Sequence, residues 1–406
     1  MRVGNPYPGP EGLTATFRQG KQMDASTFDQ ASPRTATNPI FNDNRFKLGL
    51  FCHNASIMQM STAPEKYVPT WENARALAGL CDRYGLEAIV SFAGWRGPMT
   101  DNPKHRAHRE YETFTWCSAI SAISTYPAVI ATFHTQFTTP AFVAKATATI
   151  DHISGGRAGL NVVAGSSKTA FNQFGLGIED HVTRYDHTEE FIDVMKRFWS
   201  SEKEFDHDGK FHKVVQGLSW PKPLQMPNPP LVNAGISDRG RAFACRHADI
   251  AFTHMRGSED DWRTMIAGYK TTAEKEHKRQ MQVWTHGYVV VGDTEKEASD
   301  YLRYYAEQQA DKPWIDTWVA EIGEDAKTLR PEQMINMSRN WAAGGGYGLV
   351  GTPDMILDKI DRLSRAGLDG LMMTALEPLE MVDRFGSKVI PLMEQAGLRK
   401  PYRRQA

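Results

Sequence analysis

The sequence predicts an α/β chain folded as a (β/α)8 TIM barrel with insertions, and three observations point there. Eight short apolar runs that suit strands alternate with segments of helical period, which is how parallel strands joined by packed helices read. The turn after the first run, Phe51-Cys-His-Asn-Ala55, lacks the glycines that a doubly wound nucleotide-binding sheet would place there, leaving that fold as the runner-up. No block is duplicated along the chain, which argues against a solenoid.

Residues 1–44 carry five prolines among Gly, Ser, Thr, Asn and Asp with no sustained period, and read as an extended N-terminal arm lying over the body or a neighbouring subunit. The single barrel domain is expected over residues 45–406. Its first strand lies in Arg45–Phe51, an alternating apolar run. Helix Tyr67–Tyr84 and strand Glu87–Phe92 follow, then helix Glu110–Ser124 and strand Ala128–Phe133, then helix Ala141–Ile153 and strand Ala158–Val163. Phe191, Val194, Met195 and Phe198 recur at helical spacing inside a long amphipathic helix, Thr183–Ser200. A Pro-rich insertion near 202–230 holds Asp206-His207-Asp208, read as a turn beside Gly209.

The second half continues with strand Pro230–Asn233, a helix near 238–247 and strand Ile250–Thr253. A helix near 259–277, strand Val283–Val291 and a helix over Asp293–Gln309 come next. Residues 311–350 are poorly patterned, contain Gly344-Gly-Gly346, and are expected to form a second insertion. Helix 353–366, strand Gly370–Thr374 and a helix near 378–396 close the chain.

Composition narrows the function. With 47 basic against 48 acidic side chains the formal charge is −1, so the cationic surplus that phosphate backbones demand is missing and no nucleic-acid partner is expected. No apolar run approaches the roughly 18 residues of a membrane span, so no membrane partner is expected either. Cys52, Cys81, Cys117 and Cys245 form no CxxC pair and read as small core hydrophobes. The first ten residues lack the apolar stretch of a secretory signal, and the expectation is a cytoplasmic protein.

The sequence has no GxxxxGK[ST], GxGxxG after the first strand, HExxH or GxSxG. His105-x-x-His108 is a tight pair without a third ligand in reach, so it reads as a polar loop, and no metal is expected. In a barrel of this type the loops after the strands build the site. His53, Trp95, Arg96, Thr132, His134, Asn161, His254 and Arg256 all fall at strand ends. Alternation sets Thr132 with His134, and Phe252 with His254, on one side of their strands. A separate cluster suits phosphate. Ala234-Gly-Ile-Ser-Asp-Arg-Gly240 joins a strand to a helix, and Arg184-Tyr185 opens the long helix; backbone N–H groups, a hydroxyl and a guanidinium can hold an anion there. Plain capping by Ser237 or Asp238 explains the first stretch equally well.

Taken together these segments resemble the bacterial-luciferase-like flavin monooxygenases, two-component enzymes that use reduced FMN. The stretch Ala148-Thr-Ile-Asp-His-Ile-Ser-Gly-Gly-Arg-Ala-Gly-Leu-Asn-Val-Val-Ala-Gly165 is similar to that family's ATxDxxSxGRxxxNxVxG pattern. Glu190-Phe191, Phe198-Trp199 and Ala248-Asp249 add to it, across roughly residues 45–400. Within the family, Ser61-Thr-Ala-Pro-Glu-Lys-Tyr-Val-Pro-Thr-Trp71 resembles the STTAPxYxPT segment of pyrimidine oxygenases, and Gly348-Leu-Val-Gly351 and Phe385-Gly386 are similar too.

The resemblance implies site residues. Asn161 would meet the flavin edge, Arg184 and Tyr185 would bind FMN, and Gly235, Ile236 and Ser237 would hold its phosphate. Ala93 and Gly94 would form the flavin-facing loop. Thr132, Asn161, Phe92 and Phe252 would line an oxygen niche. From their places at strand ends, His53, His134, His254 and Arg256 are expected to converge above the flavin as substrate contacts, with Trp95 as an apolar wall. Where pyrimidine oxygenases carry Ile-Lys this chain has Ala93-Gly94, Phe92 replaces a methionine, and a Trp and a Glu become Ser166 and Ala170. The function so implied is an FMNH2- and O2-dependent monooxygenase acting through a flavin-peroxide on a small N-heterocycle or amide-like ring. A separate NAD(P)H-dependent flavin reductase would supply the reduced flavin, and the chain is expected to be a homodimer or homotetramer. Alternatives are a sulfonate or sulfone C–S monooxygenase, and an F420-dependent oxidoreductase or non-catalytic flavin-binding relative.

Overall fold

A computed structural model describes residues 31–99, 101–165, 167–322 and 331–403, with side chains at 321–322 and 331–334 left aside. Eight strands form a closed parallel ring: β1 (Lys47–Phe51), β2 (Ala88–Val90), β3 (Ala128–His134), β4 (Ala158–Val163), β5 (Leu231–Asn233), β6 (Ile250–Thr253), β7 (Gln282–Val291) and β8 (Gly370–Thr374). Each pairs in parallel with the next, and β8 pairs back onto β1. The chain is therefore a (β/α)8 barrel.

Strict alternation fills the ring. Ala88, Val90, Ala128, Ile130, Val232, Ile250, Trp284 and Met372 point inward into one buried cluster, with Phe51 and Phe252 above them. Bulky Trp284 and Met372 leave β1 no room. A Cβ on Gly49 would lie 2.5 Å from the Met372 sulfur and 2.8 Å from the Ala88 carbonyl oxygen, so only glycine fits. The lower end is closed by chain that precedes β1. Pro39–Phe41 forms one 3₁₀ turn, Ile40 is fully buried in the inner cluster, and Gln282 Nε2 donates to the Ile40 carbonyl at 2.8 Å. Upstream, Arg34 forks onto buried Asp249 at 2.6 and 2.8 Å, and Ser32–Pro33 pairs with Gln225–Met226. Residues 31–44 are thus packed on the barrel, while the rest of the expected arm, residues 1–30, lies outside the described residues.

Around the ring stand α1 (Trp71–Tyr84), α2 (Thr113–Ile123), α3 (Pro140–Ser154), α4 (His181–Ser200), α5 (Asp238–His247), α6 (Glu259–His277), α7 (Pro353–Arg365) and α8 (Pro378–Lys388). Each starts on a side-chain cap: Thr70, Glu112, Thr139, Asp180, Ser237, Ser258, Thr352 and Glu377 accept from backbone N–H groups one turn in. Their apolar stripes pack against the outward faces of the strands in one continuous core.

The helix expected from Glu110 starts at Thr113, after the Glu112 cap, and four further expectations need correction. The helix expected from Tyr67 starts at Trp71, because Pro69 and the Thr70 cap hold the preceding residues extended. The helix expected over Asp293–Gln309 is α-helical only at Glu295–Arg303 and then widens into a π turn at Tyr304–Gln308. Asp206-His207-Asp208 lies in a strand, Phe205–Asp208, paired antiparallel with Lys213–Gly217, and the turn follows it. The described part of 311–350 is mostly regular, with helices Lys312–Ile322 and Pro331–Ala343. The strand Tyr347–Gly351 pairs with the upper half of β7, outside the ring. Trp314, Ile315, Ala342 and Ala343 of this segment face a second core with Met60 and Tyr305 rather than the barrel, while Leu349 joins the barrel's own core, so the pattern does not follow the βα repeat.

Candidate active site

Two helix N-termini converge beside the upper ends of β4 and β5. Ser237 caps α5 by accepting from Gly240 N at 3.1 Å, and its Oγ lies 3.1 Å from Nε2 of His181, the first residue of α4. Both macrodipoles turn their positive ends to one place. A cavity of about 280 Å³ opens there, lined by Ala164, Gly165, His181, Arg184, Tyr185 and the segment 233–237. Gly235 is obligatory: a Cβ would stand 2.3 Å from the Tyr185 hydroxyl oxygen. Asn233 stiffens the turn, donating to Val162 O at 2.8 Å and accepting from Gly235 N at 3.0 Å. Arg184 donates from one terminal nitrogen to Glu179 O at 2.6 Å, but its buried Nε has no partner. Arg239 faces away, tied to Asp186 at 2.9 Å and Glu189 at 3.0 Å. The structure so gathers Arg184, Tyr185, Gly235, Ile236 and Ser237, and adds His181 and Asn233. His181 was findable, since it precedes Arg184 by three residues and so shares its helix face.

Thr132 and Asn161 stand opposite each other in the β3–β4 register. Thr132 Oγ1 donates to Ser91 O and accepts from Asn161 Nδ2 at 3.2 Å. Asn161 Oδ1 is then left buried without a partner, an acceptor facing an empty demand for a donor. The loop after β2 is held by Asn54, which accepts from Phe92 N at 2.7 Å and donates to Phe92 O at 2.8 Å and Tyr111 O at 3.0 Å. That clamp fixes Phe92, Ala93 and Gly94 over the strand ends.

Aromatic side chains wall two sides. Trp95 meets Phe174 edge-on at 4.8 Å, Phe137 stacks on Phe174 at 4.5 Å, and His134 lies 5.1 Å from Phe137. An apolar cavity of about 300 Å³ beside them is lined by Ala93, Trp95, Phe133, His134 and Phe142. Across the barrel, Phe51, Phe252, His254 and His286 form a second group, with His254 and His286 ring centres 5.0 Å apart. Arg256 sits exposed at the rim beyond His254. His53 is set apart from both groups: its ring packs on Tyr67 at 5.6 Å in a tight space beside β8.

Burial keeps these rings neutral. Desolvation brings His53 and His286 down to about 3 and His134 to about 4, and His254 is lowered by burial and then by the Arg256 charge. Nε2 of His53 and Nδ1 of His134 and of His286 are buried without partners. His286 was missed in the sequence because it lies mid-run in a strand expected only to be apolar; its inward parity with Trp284 was the available signal. Gly344-Gly-Gly346 covers it, and a Cβ on Gly346 would approach His286 Nε2 to 2.8 Å. Elsewhere His105 pairs with Asp311 at 3.0 Å, and His108 contacts the Met99 and Asn102 carbonyl oxygens. Ser166 lies outside the described residues, and Ala170 is a buried residue of a short helix, Lys168–Gln173.

An anion cradle, an orphaned amide oxygen and aromatic walls at the upper rim of a parallel barrel are matched at the level of the whole chain. The model of luciferase-like monooxygenases fits residues 46–370. The chain belongs to the luciferase-like monooxygenase family. Among curated members it is 29% identical to an FMNH2-dependent dimethylsulfone monooxygenase of Pseudomonas putida, over 79% of this chain and 87% of that one. It is 27% identical to the pyrimidine monooxygenase RutA of Acinetobacter baylyi, over 86% of this chain and 94% of that one. The crystal structure of DmoA from Hyphomicrobium sulfonivorans superposes with a TM-score of 0.77 at 20% identity, covering 88% of this chain and 90% of that one, and shares its fold. Membership makes this chain a flavin-dependent monooxygenase. No helix among the described residues is long and apolar enough to cross a membrane.

Proposed function

We propose that this monooxygenase uses FMNH2 and O2 to oxidise a small N-heterocycle or amide-like ring, with reduced flavin delivered by a separate NAD(P)H-dependent reductase. The residues fit the cofactor. The cradle at α4 and α5 carries Arg184 with a free Nε, the Ser237 hydroxyl and two helix ends, a donor set suited to a phosphate monoester. One buried acceptor, Asn161 Oδ1, suits a ring N–H of a flavin. Bound reduced flavin supplies the electrons and activates O2, so the protein need furnish neither a metal nor a nucleophile.

The chain's own work is then positional. Thr132, through Ser91 O, holds the Asn161 amide in one orientation. Phe51, Phe252, Trp95 and Phe137 exclude water from the space over the strands. The neutral histidines offer hydrogen bonds without fixed charge, and the cations at the rim, Arg256 and Arg96, are exposed. The observation that carries the substrate reading is this scarcity of positive charge: the neutral rings His134 and His286 beside an apolar mouth suit an uncharged ring rather than an anionic sulfonate. A neutral sulfone suits the same mouth, and the likeness to the dimethylsulfone enzyme favours that as the second reading.

The test is a turnover panel of uracil-like rings, pyridones, sulfones and alkanesulfonates with FMN, NADH, a flavin reductase and 18O2. Label in a hydroxylated or ring-opened heterocycle supports the proposal. Label in a sulfone product alone transfers the chain to the second reading, and sulfite released from sulfonates alone removes both. Binding of F420 with none of FMN would overturn the cofactor reading.

A further inference from the structure

Glu110 stands in the loop between β2 and α2, where the Asn54 clamp places it. Ala55 and Glu110 form an isolated antiparallel bridge, Ser56 N donates to Arg109 O at 2.9 Å, and Tyr111 N donates to Asn54 O at 2.9 Å. These contacts pin the Glu110 backbone across the ends of β1 and β2. Its side chain then fills the space that Gly94 leaves open, since a Cβ on Gly94 would lie 1.8 Å from Glu110 Oε2 and 2.6 Å from the Phe92 ring. One carboxyl oxygen, Oε1, is buried with no hydrogen-bond partner.

Among the described residues, nothing nearby neutralises a charge there. The Cys52 thiol, the group from β1, is raised well above its usual range by its own burial and then by Glu110, and stays neutral. Glu112 spends its carboxylate on the N–H groups of Phe114 and Thr115 at 2.9 and 2.7 Å. Arg96 on the β2 loop and Arg109 are exposed. Both polar groups of Asn54 are already engaged. Burial alone lifts the Glu110 carboxyl to about 7, so at neutral pH a large share of the molecules carry it as an acid.

A neutral carboxylic acid presents one donor and one acceptor side by side. That pair is the complement of a cis amide edge, whose N–H and C=O also lie side by side. Sulfones and sulfonates present acceptors only. We propose that Glu110 is the residue that reads the substrate, its carboxyl pairing with the N–H/C=O edge of a lactam or ring amide at the Phe92–Gly94 loop. This rests on the N-heterocycle reading above.

The experiment measures equilibrium binding, not turnover. FMN-loaded protein is titrated calorimetrically with 2-pyridone, N-methyl-2-pyridone and dimethyl sulfone from about pH 6 to about pH 8.5, spanning the carboxyl's raised range. Wild-type affinity for 2-pyridone should fall about tenfold per pH unit above 7 as the acid is lost. E110Q keeps a donor beside an acceptor and cannot ionise, so its affinity should stay flat across that range. E110A should bind 2-pyridone at least about tenfold more weakly than wild type at the acid end, the loss of one or two hydrogen bonds. N-methyl-2-pyridone, which keeps the C=O but has a methyl group in place of the N–H, should retain less of the wild-type advantage over E110A than 2-pyridone does. Identical pH profiles in E110Q and wild type, or undiminished 2-pyridone binding in E110A, overturn the role of Glu110 while leaving the lactam reading standing. Dimethyl sulfone bound and 2-pyridone refused by wild type and variants alike overturn both.

Discussion

Arg184 and Arg239 lie on neighbouring helices near the same cradle, yet only one is free to act there. Arg239 is forked between Asp186 and Glu189, which hold its guanidinium charged and turned toward α4. Arg184 keeps a buried, unpartnered Nε at the cavity lined by Ser237. Arg184→Ala should therefore weaken FMN by about 1.5–3 kcal/mol, roughly ten- to hundred-fold, as for a lost charge-assisted contact. Arg239→Ala should change affinity by no more than a few-fold, and fluorescence titration of both variants checks the contrast. Equal losses in the two would remove Arg184 from the phosphate contact. Thr132 is a different kind of residue, one hydroxyl serving two partners. Thr132→Val strands the Ser91 carbonyl oxygen and the Asn161 amide in the interior, and about 1–3 kcal/mol of stability should go with it, read from urea unfolding. Because Asn161 then loses its orientation, flavin affinity should fall in the same variant.

At the scale of elements, the helices and strands that the sequence pattern marks sharply are those whose ends carry chemical punctuation. Ala158–Val163 follows Gly155-Gly156, α5 follows the Ser237 cap, and α6 follows a Ser258–Asp261 capping box, and each runs where the pattern puts it. The phosphate cradle was legible for the same reason, since it is built from a glycine turn and two helix starts. What stayed illegible is whatever depends on a partner distant in sequence. Glu110 reads as the start of a helix until the bridge to Ala55 places it, and the strand Tyr347–Gly351, with two glycines in five residues, declares itself only against β7. The turn Pro39–Phe41 is of this kind as well: nothing in its own composition says that it stoppers a barrel. Ile40→Ala should cost about 2–5 kcal/mol, as much as truncating a residue on the barrel strands, because the cavity it leaves is closed on all sides by Trp284, Ile250 and their neighbours. A loss below about 1 kcal/mol in denaturant titration, the range of surface positions, would mean the turn is dispensable.

Over the whole molecule the barrel buries more proton acceptors than it can satisfy, and this gives its stability a defined dependence on pH. His53, His247 and His286 are depressed to about 3 and His134 to about 4, all chiefly by burial. Each is neutral in the folded chain while the unfolded chain takes up its proton near pH 6.5. A depressed folded pKa means stability that is present above the unfolded value and is lost as pH falls toward the folded one. Glu110 has the opposite sign: raised to about 7, it favours the folded state below its unfolded value and gives that up as pH rises through 7. At about pH 5.5 these four histidines outweigh the one carboxyl, and from these five groups the unfolded chain binds about three more protons; His212, lowered to about 4, acts in the same direction. The slope is then on the order of 4 kcal/mol per pH unit. Stability should peak near neutrality and collapse on mild acidification, well above the range where surface carboxylates titrate. His247 isolates the effect, because it packs on Phe243 away from the flavin cradle and burial keeps it neutral, with Lys196, Arg246 and Arg279 opposing its protonation and the Glu189 carboxylate 3.9 Å from its Nε2. Urea midpoints taken through that pH should fall steeply for the wild type, and His247→Gln should lower the slope by about one proton's worth, about 1.4 kcal/mol per pH unit. Midpoints that stay level down to about pH 5 would show that water reaches these rings in the folded barrel, and with it the neutral, dry mouth on which the substrate reading depends would be lost.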